Sequence, residues 1–312
     1  MPDRGYATPT RRGGGSRAVI SILLVLAVLA ALSFGLRKLL HTSTPAPAAS
    51  TALSGSPRIG GKPTPSPSAT PLFTLTSPFA GSPAAGYADG AAGIVLPAAH
   101  RVGQFSRAQV AAAYATVKDM LVAAMLNRPT MGGAKPTALG QLLISEQRSW
   151  FYRHLTRPIT PRHKPAWRTR AWVTAFAPGI EVVGTIVKVH GAPMTAKVVT
   201  VSQRSALQVS TDYIFAYAVQ QAGVPTSRVR IVAQQYATVQ FAQWTDPGGS
   251  LQPWIADFGA SYAGAQCGQT DGFVHPAFPA VGPGSVAPSG APVNPYQLGP
   301  PSAKGCQAVT GT

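Results

Sequence analysis

Acid is scarce in this chain. Its 312 residues hold nine Asp and Glu against 26 Lys and Arg, a net charge of +17, and only 11% of residues are charged. So few carboxylates leave little material for a carboxylate-rich metal site. Cysteine is scarcer still: Cys267 and Cys306 are the two present, too few for a disulfide-dense scaffold or a four-cysteine zinc site. The histidines, His41, His100, His154, His163, His190 and His275, are scattered. They form no H-x-x-x-H or H-x-E spacing, and there is no C-x-x-C. The G-x-S-x-G nucleophile elbow and the glycine-rich phosphate loops are missing too. No metal, cofactor or catalytic residue is therefore expected. What is abundant is glycine and proline, 32 and 30 residues, alongside 45% apolar residues, a mixture of packed and unpacked chain.

One long uncharged apolar run exists, Ala18 to Leu36. As a helix its 19 residues span roughly 28 Å, about the thickness of the hydrocarbon core of a bilayer. Arg4, Arg11, Arg12 and Arg17 precede it, and Arg37 and Lys38 follow. A cleaved signal peptide has a shorter core, so the run reads as an uncleaved anchor. The positive-inside rule places residues 1–17 in the cytoplasm and the bulk of the chain outside. The expected localisation is the cell membrane, single-pass.

Residues 37–100 read as a Pro/Ala/Ser/Thr linker, with no acid between His41 and Ala88. Such a segment buries too little apolar surface to offset its ordering entropy. Order is expected from Gln104. Ser106 and Gln109 stand at capping-box spacing, and Val110, Ala113, Val117, Leu121 and Ala124 repeat at helical period, ending before Arg128-Pro129. A second helix is expected from Thr137 to Arg157, with Leu139, Leu142, Leu143, Trp150, Phe151 and Leu155 on its apolar side.

Strand signals follow at Ala171–Ala177, Val182–Val189, Leu207–Val219 and Arg228–Trp244, with Lys197–Val201 as a further strand pairing with Leu207–Val209. Helices followed by strands, without βαβ alternation, predict an α+β domain over 101–262 whose helices cover one face of an antiparallel sheet. Residues 263–312 form a Pro/Gly-rich tail. On the oxidising side Cys267 and Cys306 are expected to pair, contributing about 3–4 kcal/mol by loop closure; inverted topology would leave two free thiols.

The anchor, the helix VAAAYATVKDMLVAAML, the strands VVGTIVKVHG, LQVSTDYIFAYAV and RVRIVAQQYATVQF, and the late CGQTDGFVHPAFP segment carry a resemblance. Together they look like uncharacterised membrane-anchored exported proteins of high-GC Gram-positive bacteria. The exported domain of these proteins is similar to the nuclear-transport-factor-like, cystatin-related cone. Exported scaffold domains of conjugation and type IV secretion systems share that fold type. The resemblance implies a curved sheet with helices in its concavity, and it supplies no catalytic residues.

Two sites stand out. Arg148, Arg153, Arg157, Arg162, Lys164, Arg168 and Arg170 form a basic stretch without acids, interleaved with Trp150, Phe151, Tyr152 and Trp167. It suits an anionic wall polymer or lipid headgroups, or else is a solvated helix end. Nucleic acid is expected as a partner only within a conjugation apparatus. Asp212, beside Tyr213, is a candidate pocket carboxylate, but strand alternation sends the two to opposite faces. The leading reading is a non-catalytic binding or scaffold domain of the cell envelope, with envelope or secretion-complex proteins as partners. A ligand-binding or enzymatic domain with a pocket near Asp212 is the alternative.

Overall fold

The computed structural model describes residues 76–156, 169–244, 250–278 and 293–299. The chain divides into two units, Met1–Ser66 and Pro67–Thr312, and every described residue belongs to the second. The apolar run 18–36, the tail before it, the linker up to residue 75 and Cys306 lie outside the described residues. Among the described residues no helix is long and apolar enough to cross a membrane.

Helix α1 (Arg107–Met125) starts at the expected capping box. The Ser106 hydroxyl accepts the Gln109 N–H at 3.3 Å, and the Ser106 N–H donates to the Gln109 side chain at 2.8 Å. Each satisfies a backbone or side-chain group left open at a helix start. The expected apolar face is buried, from Val110 to Ala124. A one-turn helix, α2 (Arg128–Met131), follows, capped by Asn127.

The helix expected over 137–157 is two helices, α3 (Thr137–Leu142) and α4 (Ser145–Arg153). Leu143 and Ile144 between them are extended. Arg148 holds the corner by donating to the carbonyls of Gly140, Gln141 and Leu143 at 2.8, 3.3 and 2.8 Å. One guanidinium thus satisfies carbonyls that a continuous helix would have bonded internally.

Seven antiparallel strands form one sheet: β1 (Ala88–Asp89), β2 (Ile180–Val182), β3 (Lys188–Gly191), β4 (Thr195–Val201), β5 (Arg204–Gln221), β6 (Val224–Ala242) and β7 (Gln252–Ala263). Strands β5, β6 and β7 lie side by side, with β7 at one border. Along the other edge of β5 run β4, β3 and β2 in succession, opposite Arg204–Ser210, Tyr213–Ala216 and Val219–Gln221. The strand expected at Lys197–Val201 is therefore present as part of β4, with Val198 opposite Leu207. The single strand expected at Val182–Val189 is split, with Gly184 between the pieces at a φ of 71°, where glycine carries no steric penalty. Ala171–Ala177 is not a strand. It begins in a 3₁₀ turn, Thr169–Trp172, and its Thr174 and Phe176 N–H groups bond to Ala124 and Met131 at the ends of α1 and α2. Strand β7 was not among the strands expected from the sequence.

Alternation along β5 builds two cores. Leu207, Val209, Tyr213, Phe215, Tyr217 and Val219 pack with the helices on the inner face. Ile214, Ala216 and Ala218 pack on the outer face under Phe79, Ala84 and Tyr296. The folded unit thus reaches beyond the expected bounds of 101–262. The buried Arg230 guanidinium holds residues 78–80 by donating to the Pro78 and Ala80 carbonyls at 2.8 and 2.6 Å. Residues from 76 onward and the 293–299 segment are parts of the domain, not of linker and tail.

Candidate functional site: a cleft on the border of the sheet

Among the described residues strand β7 has β6 on one side only. A cleft of about 610 Å³ opens beside it, walled by α4 and the Thr169–Trp172 turn. Seven consecutive residues of β7, Trp254 to Ala260, line this cleft. A strand face presents alternate residues, so an unbroken run shows that the cleft lies against the strand's edge. Ala256 is the extra residue of a bulge, because Ile255 pairs with Val239 and Asp257 with Thr238. Bulges bend and twist a sheet edge locally.

Part of this border is already protected. The Gln147 amide, buried on α4, donates to the Ile255 carbonyl at 2.9 Å and accepts the Ile255 N–H at 3.0 Å. These are the two bonds a neighbouring strand would make. Pro253, two residues earlier and on the same edge by register, has no N–H to offer. Beyond Ile255 the edge faces the cleft.

Aromatic rings form the inner wall. Trp150 and Trp172 have centroids 5.7 Å apart, and Trp172 and Phe258 6.4 Å. On the outer side stand Trp254, 38% exposed, and Tyr236. Tyr236 reaches the cleft across Gly259, where a Cβ would lie 2.6 Å from its hydroxyl. Burial, and then the Asp257 carboxylate, raise the Tyr236 pKa, so the phenol stays a hydrogen-bond donor at neutral pH. Among the described residues Glu146 and Asp257 are the acids of the cleft and Arg153 its base.

Of the basic stretch, Arg148, Arg153 and Arg170 are described. Arg148 is committed to the α3–α4 corner. Arg170 is 7% exposed, with its guanidinium 4.3 Å from the centre of the Phe273 ring. Arg153 is exposed at the cleft, its Nε donating to the Ser149 carbonyl at 3.2 Å. Arg157, Arg162, Lys164 and Arg168 lie outside the described residues. Two members of the set thus serve the fold and are not free for a polymer.

Asp212 is not part of the cleft. It sits on the outer side of β5, opposite Tyr236 in register, and accepts the Gly299 N–H at 2.7 Å. Its pKa is raised by burial, partly offset by bonds from Gly299 and Gln234. Tyr213 points into the inner core, so the two occupy opposite faces, as alternation requires. Cys267 is buried, and among the described residues no cysteine is free. No cluster of metal-ligating side chains occurs among the described residues. Sequence reasoning missed the cleft because α4 and β7 meet across 108 residues. The one local hint was Pro253, a residue that sheets tolerate at their borders.

Comparison with protein-family models, curated proteins and solved structures finds no match.

Proposed function

We propose that this chain is a single-pass membrane-anchored protein whose exported cone-type domain binds an extended segment of a partner in the cell envelope, without catalysis. The apolar run 18–36 holds it in the membrane with residues 1–17 in the cytoplasm, and Cys267 pairs with Cys306 on the oxidising side. The observation that carries the binding reading is the unbroken run Trp254–Ala260 along the cleft. An open strand edge flanked by rings offers main-chain hydrogen bonds and side-chain pockets together, which is how strand addition recognises peptides. A scaffold role in a secretion or conjugation assembly accords with such a surface.

The test uses the full chain in mild detergent. Titration with an acetylated, amidated hexapeptide of alternating threonine and valine should give a saturable change in tryptophan emission, since three tryptophans line the cleft. A linear, unsaturable response would overturn the reading. Membrane location is checked separately: the chain should resist extraction by alkaline carbonate, and its release as soluble protein would contradict the anchor.

A further inference from the structure

Among the described residues the lining of the cleft is more acidic than the chain as a whole. The chain carries 26 basic and nine acidic residues, yet among the described residues two acids and one base line the cleft. Neither Glu146 nor Asp257 has a described cation within ion-pair distance, the described ion pairs being Lys188–Asp89 and His275–Asp271. Glu146 accepts a hydrogen bond from the Ser145 hydroxyl at 2.9 Å, and among the described residues neither carboxylate has an ion-pair partner. Arg153 makes no described ion pair with either acid, and its Nε donates to the Ser149 carbonyl of its own helix.

The walls match the same class of ligand. Trp150 and Trp254 present electron-rich rings, with Trp172 packed behind Trp150, and Trp is the aromatic that attracts cations most strongly. Carboxylates beside such rings form a site for an ammonium or guanidinium group on an apolar stem. The edge of β7 supplies the second element. Past Ile255, which Gln147 occupies, the border offers a polypeptide backbone a place to pair.

We propose that the edge of β7 from Ala256 to Ala260 docks an extended, basic polypeptide segment of a partner protein. Its main chain adds to the sheet as a strand, and a lysine or arginine side chain enters between Glu146 and Asp257 against the tryptophan rings. This rests on the binding reading of the cleft and specifies its ligand.

Fluorescein-labelled hexapeptides of alternating lysine and threonine, and of alternating glutamate and threonine, test it by anisotropy against the full chain in detergent at physiological salt. The lysine peptide should bind at least about tenfold more tightly than the glutamate peptide. Glu146→Gln combined with Asp257→Asn should abolish that preference while leaving the unfolding midpoint unchanged. A lysine peptide methylated on alternate backbone nitrogens should bind about tenfold more weakly, because it cannot complete the ladder. Equal binding of the two charged peptides, or a preference that survives the double substitution, would overturn the assignment of a cation. Undiminished binding of the methylated peptide would overturn strand addition. If the threonine–valine peptide binds and charge makes no difference, the binding reading stands and this inference falls. If no peptide binds, both fall.

Discussion

The two long borders of the sheet are finished in opposite ways. Beside β5 the border is a row of three short strands of 3, 4 and 7 residues, extended by the two-residue β1 on β3. Broken, bent rows of this kind are poor templates for further pairing. The opposite border is one strand of 12 residues, β7, defended at Pro253 by a missing donor and at Ile255 by a borrowed amide. Past Ile255 the protection stops and the cleft begins. Protection thus covers one end of the strand and gives way to an aromatic cleft at the other.

The largest way to break this contrast is Gln147→Leu. It strips the buried Ile255 N–H and C=O of both partners, at about 2–3 kcal/mol. Urea unfolding should show that loss, and light scattering should show self-association through the lengthened open edge. An unchanged midpoint would mean that water replaces the amide and that the edge was never guarded. Gly259→Val comes next. The added side chain meets the Tyr236 hydroxyl and should turn that ring out of the cleft, costing about 1 kcal/mol in stability. It should weaken peptide binding several-fold, read by the same anisotropy titration.

Between the borders, Asp212 acts as a control. Its folded pKa is raised by burial, so its contribution to stability is greatest below the unfolded pKa of a carboxyl and is lost as pH rises through the folded value. Asp212→Asn should therefore gain stability relative to the parent as pH rises from acid to neutral, with peptide binding unaffected. A loss of binding would tie the outer face to the cleft. The smallest effect is expected at the closed border. Asp89→Asn removes an ion pair of 2.6 Å to Lys188, but the Asp89 side chain is 58% exposed, so the cost should stay below about 1 kcal/mol in thermal unfolding.

How far the sequence reaches follows the range of the interactions. The start of α1 was legible because Ser106 and Gln109 bond within one turn. The β5–β6 pair was legible because long alternation, Leu207 to Val219 and Val229 to Phe241, specifies one face. The break between α3 and α4 was not, because it depends on where the Arg148 side chain turns. Strand β7 was hidden because Pro253, Gly259 and the alanines dilute its alternation, and a border strand needs less of it. The segment around Phe79 read as linker because few apolar residues mark it, and what secures it is Arg230, some 150 residues away. The cleft was the least legible feature, assembled by α4 and β7 from distant parts of the chain. The basic stretch was legible as composition, but the fold spends Arg148 and Arg170 on itself.

Amide hydrogen exchange of the full chain, with and without the lysine–threonine peptide, tests the central claim most directly. Slower exchange confined to Ala256–Ala260, with β2, β3 and β4 unchanged, is the predicted result. Protection elsewhere, or none along β7 at saturating peptide, would contradict it.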